Sequence, residues 1–184
     1  MTNPQDLDGP MAAWWADMLA RKTDESAWVG VLSGHNVEIV SHAWRPHDVD
    51  RVGNVSGAIP WHACALGHAI VANLNAAAQE ALLAVPAHPL TGFTVTDPHA
   101  LRQALAMTRD RGYAVEAQTA ALGDAGLAAP VLGDSGRCVG AIGIVGATDR
   151  LLSVERQHIL AHAVCATARA LSPEPSEGRT THLR

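Results

Sequence analysis

The stretch Pro60–Ala69, Pro-Trp-His-Ala-Cys-Ala-Leu-Gly-His-Ala, constrains the chain more than any other. A proline that cannot continue a strand is followed by small residues, one glycine and an alanine-rich run through Leu74. Such a pattern turns the chain out of a loop into a tightly packed helix. The first turn of that helix leaves backbone N–H groups without internal partners, which offer a place for a carboxylate or phosphate. Water or a capping side chain satisfies most helix starts equally well.

A helix made of small residues needs a core built to match. Only 4% of the 184 residues are aromatic while 48% are hydrophobic, so alanine, valine, leucine and isoleucine must fill the interior. The length suits one domain. With 13 basic against 18 acidic residues, a net charge of -5 and Lys22 as its one lysine, the chain has no basic stripe for a phosphate backbone. Cys64, Cys138 and Cys165 lie far apart with no CxxC, which fits free thiols in a reducing compartment. Met1–Pro10 is polar and acidic, unlike a signal peptide. The longest apolar region, His62–Val85, is interrupted by Asn73, Asn75, Gln79 and Glu80 and cannot span a membrane. A soluble cytoplasmic protein is expected.

Along the chain, Met1–Gly9 reads as a loose tail and Pro10 opens a helix to about Lys22, with Trp14, Met18 and Leu19 as its apolar side. Ser26–Ser33 and Val37–Ala43 read as a hairpin around Gly34-His35-Asn36. Trp44–Val52 reads as an exposed polar loop, with a short strand near Arg51–Ser56. Ala76–Val85 continues the helical region until Pro86 and Pro89. Asp97 caps a third helix with Pro98 at its first position, Leu101, Leu105 and Ala106 as its buried stripe and Gly112 at its end. Tyr113–Gln118, Ala125–Leu132 and Arg137–Gly146 read as strands, the last two joined at Gly133-Asp134-Ser135-Gly136. Val139–Val145 is almost wholly apolar, as in a strand covered on both faces. Ser153 caps a last helix to about Leu171, and the proline- and charge-rich 172–184 segment is expected to be disordered. The order gives an α+β domain, a central antiparallel sheet with helices packed on its faces.

Several motifs in this order resemble the effector-binding domain of the isocitrate lyase regulator (IclR) family of transcription factors. Pro60, then His62-Ala63, Gly67 and Ala69 resemble that family's proline, His-Ala and Gly-Lys-Ala pattern. Arg109-Asp110-Arg111-Gly112-Tyr113-Ala114 resembles its Arg-x-x-Gly-Tyr-Ala. Gly123 with Ala128-Ala129-Pro130-Val131, and Gly146 to Arg150, resemble its later blocks. The resemblance implies a GAF-like fold over 13–171 between tails at 1–12 and 172–184, and a homodimer or homotetramer. It implies a small-molecule effector as partner, with no cofactor, no catalysis, no membrane and no direct DNA contact by this chain. Family members carry a winged helix-turn-helix ahead of this region, and only about thirteen residues precede Trp14. The chain then reads as the sensor half of a longer regulator or as a stand-alone sensor.

The resemblance also implies a pocket. Its small-acid sensors hold a carboxylate on backbone N–H groups at positions matching Ala65 and Leu66. An acidic residue matches Glu116, which alone would read as a solvated strand carboxylate. Asp124 and Gly126 follow, then Gly143 and Val145 on one strand face, with Ile59 at the mouth. Departures are clear. Gly126 replaces a common cysteine, Gly143 and Val145 replace two serines, His68 the usual lysine, and Cys64 a Thr or Ser. Losing those donors favours a larger, more apolar ligand than pyruvate, such as an aromatic acid, and the glycines are expected to widen the cavity.

Two rivals stand beside the sensor. Cys64 near a helix start can be an activated thiolate of a thiol-dependent enzyme, or a small buried hydrophobe. His158, His162 and Cys165 share a helix stripe that can ligate zinc, or lie on a solvated edge. Trp14, Trp15 and Trp28 are candidates for an apolar contact surface between protomers.

Overall fold

The computed structural model describes residues 7, 9–45 and 58–172. Its elements are α1 (Pro10–Thr23), β1 (Ser26–Ser33), β2 (Asn36–Ala43), β3 (Ile59–Pro60), a 3₁₀ turn (Trp61–Ala63), α2 (Ala65–Ala72), α3 (Ala76–Leu83), α4 (Pro98–Arg111), β4 (Ala114–Ala117), β5 (Asp124–Leu132), β6 (Cys138–Ala147), α5 (Thr148–Leu151) and α6 (Val154–Leu171). Among the described residues, six strands form one antiparallel sheet in the order β3-β2-β1-β6-β5-β4. The expected α+β, GAF-like architecture is present. The loop at 46–52 and the strand near 51–56 fall outside the described residues, as does 173–184.

Local chemistry sets the ends of these elements. Gly34 adopts a left-handed φ of 59° and closes the β1–β2 hairpin, placing Ser33 opposite Asn36. Asp97 accepts the Ala100 N–H at 2.7 Å to start α4, and Gly112, with φ 82°, ends it. Asn75 and Ser153 cap α3 and α6 in the same way. The short helix α5 has no counterpart in the sequence reading. Four residues carry too little periodicity to register.

β6 lies between β1 and β5, and its side chains alternate between two cores. Ile142 and Ile144 join Val29, Leu127 and Leu19, with Leu160 and Val164 of α6, on one face. Ala141 and Val145 join Trp28, Leu66, Ile70, Leu101 and Leu105 on the other, under α2 and α4. This explains the unbroken apolar run of β6.

Four expectations need correction. The inward side of α1 is Ala12, Ala16, Leu19 and Ala20, while Trp14 is 51% exposed and Met18 also faces outward. Small residues let α1 approach the sheet closely, so the bulkier ones turn away. On α4 the third buried position is Thr108, one turn beyond Leu105, and Ala106 is exposed. Trp28 is 7% exposed and lies in the core rather than on a contact surface. Leu7, in the stretch read as a loose tail, is buried, and a side chain at Gly140 would strike it.

One buried charge was not foreseen. Glu25 is fully buried and takes Arg150 in a bidentate pair, Nη2 at 2.6 Å, with Arg156 at 3.5 Å. A Cβ at Gly146 would lie 2.6 Å from the Glu25 carboxylate, so this glycine makes room for the pair.

Candidate functional site

The site begins at the 3₁₀ turn that follows β3. Trp61 donates its N–H to the His35 carbonyl at 3.1 Å, tying the turn to the hairpin. The chain then enters α2 with Cys64 as its cap, the sulfur accepting the Gly67 N–H at 3.4 Å and drawing also on the Leu66 N–H. Gly67 is there because nothing larger fits. A Cβ on it would lie 2.1 Å from the Trp61 carbonyl oxygen and 2.5 Å from its Cα. His68 turns inward and bonds through Nε2 to the His62 carbonyl at 3.0 Å. Burial pushes its pKa down to about 4, so it is neutral at pH 7 and that nitrogen donates. His62 in turn meets the His88 carbonyl at 3.0 Å.

Above this turn lies a cavity of about 590 Å³. Its wall includes all eight residues singled out from the sequence: Ile59, Ala65, Leu66, Glu116, Asp124, Gly126, Gly143 and Val145. They arrive from β3, α2, β4, β5 and β6, and the antiparallel register accounts for their convergence. Glu116 sits opposite Gly126 on β5, which sits opposite Val145 on β6. Ala65 and Leu66 hold the first positions of α2, where backbone N–H groups lack an acceptor inside the helix.

The two glycines differ from each other. A Cβ at Gly143 would lie 2.4 Å from the Leu127 carbonyl oxygen and 2.7 Å from the Ala128 Cβ. That glycine therefore permits close strand contact and adds no room of its own. At Gly126 a Cβ would stand 3.2 Å from Glu116 Oε1 and 3.3 Å from the Ala65 Cβ, a tight but softer fit.

Glu116 is not a solvated strand carboxylate. Its Oε2 meets the Thr119 N–H at 3.2 Å and the Thr119 hydroxyl, which also lies 2.9 Å from the Ala63 carbonyl. Burial, more than the like charge of Asp124, pushes the carboxyl up to about 7.

Sequence reasoning missed part of the wall: Trp28, Trp44, Leu90 and the 120–122 segment before β5. Trp28 pairs with Gly143 across the sheet, and Trp44 meets its ring edge-on at 6.2 Å. Among the described residues the buried Trp28 indole nitrogen has no hydrogen-bond partner. The signal for Trp28 was its alternation with Val29, which becomes legible only with the β1–β6 register. Thr119 had none, since a loop threonine is common.

The two rival sites fare as follows. Burial pushes the Cys64 thiol up to about 12, so at neutral pH it is a hydrogen-bonding cap and not a thiolate. His158 and His162 are exposed, and among the described residues no group of three or more His, Cys, Asp or Glu side chains is placed to hold a metal ion.

Residues 10–173 match the family described as "Bacterial transcriptional regulator IclR C-terminal". The glycerol operon regulatory protein of Streptomyces coelicolor is 39% identical over 166 residues, 90% of this chain and 65% of that protein. That of Streptomyces griseus is 39% identical over 137 residues, 74% of this chain and 54% of that protein. The chain thus spans between half and two thirds of these relatives. Among solved structures, Thermotoga maritima IclR superposes with a TM-score of 0.78 at 21% identity, over 94% of this chain and 70% of that one. A double mutant of the PobR inducer-binding domain from Acinetobacter, complexed with 3-hydroxybenzoic acid, gives 0.80 at 22% identity over 94% and 99%.

Proposed function

The chain belongs to the IclR family of bacterial transcriptional regulators, as its C-terminal effector-binding domain, and from that premise we propose that its cavity senses an organic acid larger and more apolar than pyruvate. The observation that carries this reading is the cavity itself. About 590 Å³, walled by Trp28, Trp44, Ile59, Leu66, Val145 and small residues, with a helix start at one end, suits a planar acid better than a short keto acid. The hydroxybenzoates held by the PobR domain and by an IclR homologue of Microbacterium hydrocarbonoxydans are ligands of this chemical kind.

In this reading the Ala65 N–H, and the Leu66 N–H that it shares with the Cys64 sulfur, meet the carboxylate. Ile59, Gly126, Gly143 and Val145 bound the apolar part, Asp124 lines the same wall, and Glu116 lies beside the carboxylate end, where a Gly126 Cβ would stand 3.2 Å from its Oε1 and 3.3 Å from the Ala65 Cβ. The domain acts by binding, without chemistry of its own, and reaches DNA only through a separate DNA-binding domain. It assembles as a dimer or tetramer, with Met11, Trp14 and Met18 on the outer side of α1 as candidate contacts.

Thermal unfolding against a panel of acids tests the reading. Aromatic and branched acids should stabilise the protein and pyruvate or glyoxylate should not. A ligand at about a hundred times its Kd adds roughly 2.7 kcal/mol, readily seen as a shift in Tm. Val145→Trp should fill the cavity and remove the shift while the protein stays folded. A win for short keto acids, or an undiminished shift in Val145→Trp, sinks the assignment. Light scattering at about tens of micromolar should give at least a dimer, and the chain alone should not retard duplex DNA specifically.

A further inference from the structure

Thr119 follows β4, and its hydroxyl stands between two oxygens: the Ala63 carbonyl at 2.9 Å and Glu116 Oε2. A threonine hydroxyl has one hydrogen to donate. The Ala63 oxygen can only accept. While Thr119 donates to it, the contact with Glu116 is a hydrogen bond only if the carboxyl is protonated and donates. If Glu116 ionises, the hydroxyl turns to the carboxylate and the carbonyl of the fully buried Ala63 loses its donor. The two arrangements differ by one proton, and they differ at the turn that launches α2.

The other carboxyl oxygen of Glu116 borders the cavity, 3.2 Å from where a Gly126 Cβ would stand. Of the elements packed around it, β5 brings Asp124, which adds like charge, and the cap of α2 is Cys64, whose buried thiol stays neutral. β1 and β6 contribute Trp28, Gly143, Ile144 and Val145, none of which titrates in this range. His62 of the 3₁₀ turn is engaged with the His88 carbonyl. An acid entering this apolar space places a second carboxylate near Glu116, and like charges so confined do not both stay ionised.

We propose that Glu116 and Thr119 make effector binding proton-linked, so that the cavity admits a monoanionic acid only together with one proton on Glu116. This rests on the reading of the cavity as the effector site. Burial supports it, because it brings the Glu116 carboxyl to about 7, where the proton is exchanged near neutrality. Thr119 acts as a positioning residue, and Glu116 discriminates ligands by charge.

The test uses benzoate, which is ionised throughout, and benzamide, its uncharged counterpart, titrated calorimetrically between about pH 5.5 and 8.5 in buffers of different ionisation enthalpy. Benzoate affinity should fall about tenfold per pH unit above neutrality with uptake of one proton, while benzamide affinity stays flat. Glu116→Gln should flatten the benzoate profile. Thr119→Val should move its midpoint and Thr119→Ser should leave it in place. Benzoate binding with no pH dependence and no proton uptake in the wild-type protein overturns the proposal and leaves the effector site standing. An unmoved midpoint in Thr119→Val overturns the part assigned to Thr119. If neither compound binds at any pH, the effector-site reading fails and this one with it. The wild-type proton count decides the matter even if a variant fails to fold.

Discussion

Gly67→Ala sets two effects of opposite sign against each other. In an ordinary helix interior, alanine is favoured over glycine by about 1 kcal/mol. At Gly67 the added Cβ would fall 2.1 Å from the Trp61 carbonyl oxygen and within 2.6 Å of two further backbone atoms. Backbone cannot rotate aside as a side chain does, so α2 and the 3₁₀ turn must separate by more than an ångström to reach van der Waals contact. Overpacking of this kind costs about 1–3 kcal/mol. The same displacement pulls on the bonds from His68 to the His62 carbonyl and from Thr119 to the Ala63 carbonyl. A buried polar group left unmet costs about another 1–3 kcal/mol. The clash therefore outweighs propensity, and a net loss of about 3 kcal/mol is expected. With a urea m-value of about 2 kcal/mol/M, the denaturation midpoint should fall by about 1.5 M. Gly92→Ala is the control, since no described residue lies within 4 Å of its Cβ position and the midpoint should barely move. A Gly67→Ala protein as stable as wild type, or more so, would show that the turn yields freely and refute the steric reasoning.

The buried ion pair, two titrating groups and one thiol provide the other predictions. Glu25→Ala removes the carboxylate that Arg150 and Arg156 share, and because both arginines reach solvent it should cost about 1.5–3 kcal/mol in denaturation. Glu116 has a folded pKa of about 7 against an ordinary 4.5, so the native state holds more protons between those values. Stability should fall as pH rises through that window, by up to about 3 kcal/mol, and Glu116→Gln should abolish the fall. His68 acts oppositely: with its pKa lowered from 6.5 to about 4, the unfolded chain binds more protons between them, and stability is lost as pH drops through that range. Denaturation of the wild type and Glu116→Gln at pH 5 and pH 8 separates the two contributions. Iodoacetamide at pH 8 should label the half-buried Cys165 well before Cys64, whose thiol is held up to about 12, and peptide mass spectrometry reads the order. Preferential labelling of Cys64 in the folded protein would revive the thiolate reading.

Much of this molecule follows from local chemistry. Pro98 behind Asp97, Gly112 after Arg111 and the Gly34 turn mark the ends of their elements because caps and left-handed turns depend on a few adjacent residues. The alternation and apolar run of β6 likewise announce a strand covered on both sides. The motif around His62-Ala63 and Gly67 pointed to the family, and the eight residues drawn from that resemblance lie around one cavity. Which side of α1 faces inward was not legible, because Trp14 and Leu19 are equally apolar. The choice went to the small residues that fit against the sheet. Nor could spacing reveal that Gly143 answers to the Leu127 carbonyl, that Trp28 shares the cavity with it, or that Glu25 meets Arg150 across 125 residues. Above all, Glu116 is an ordinary acidic residue until Thr119, Ala63 and the α2 turn close around it. Its charge is set by burial and by the partners of one shared hydroxyl, and these exist only when distant segments are brought together.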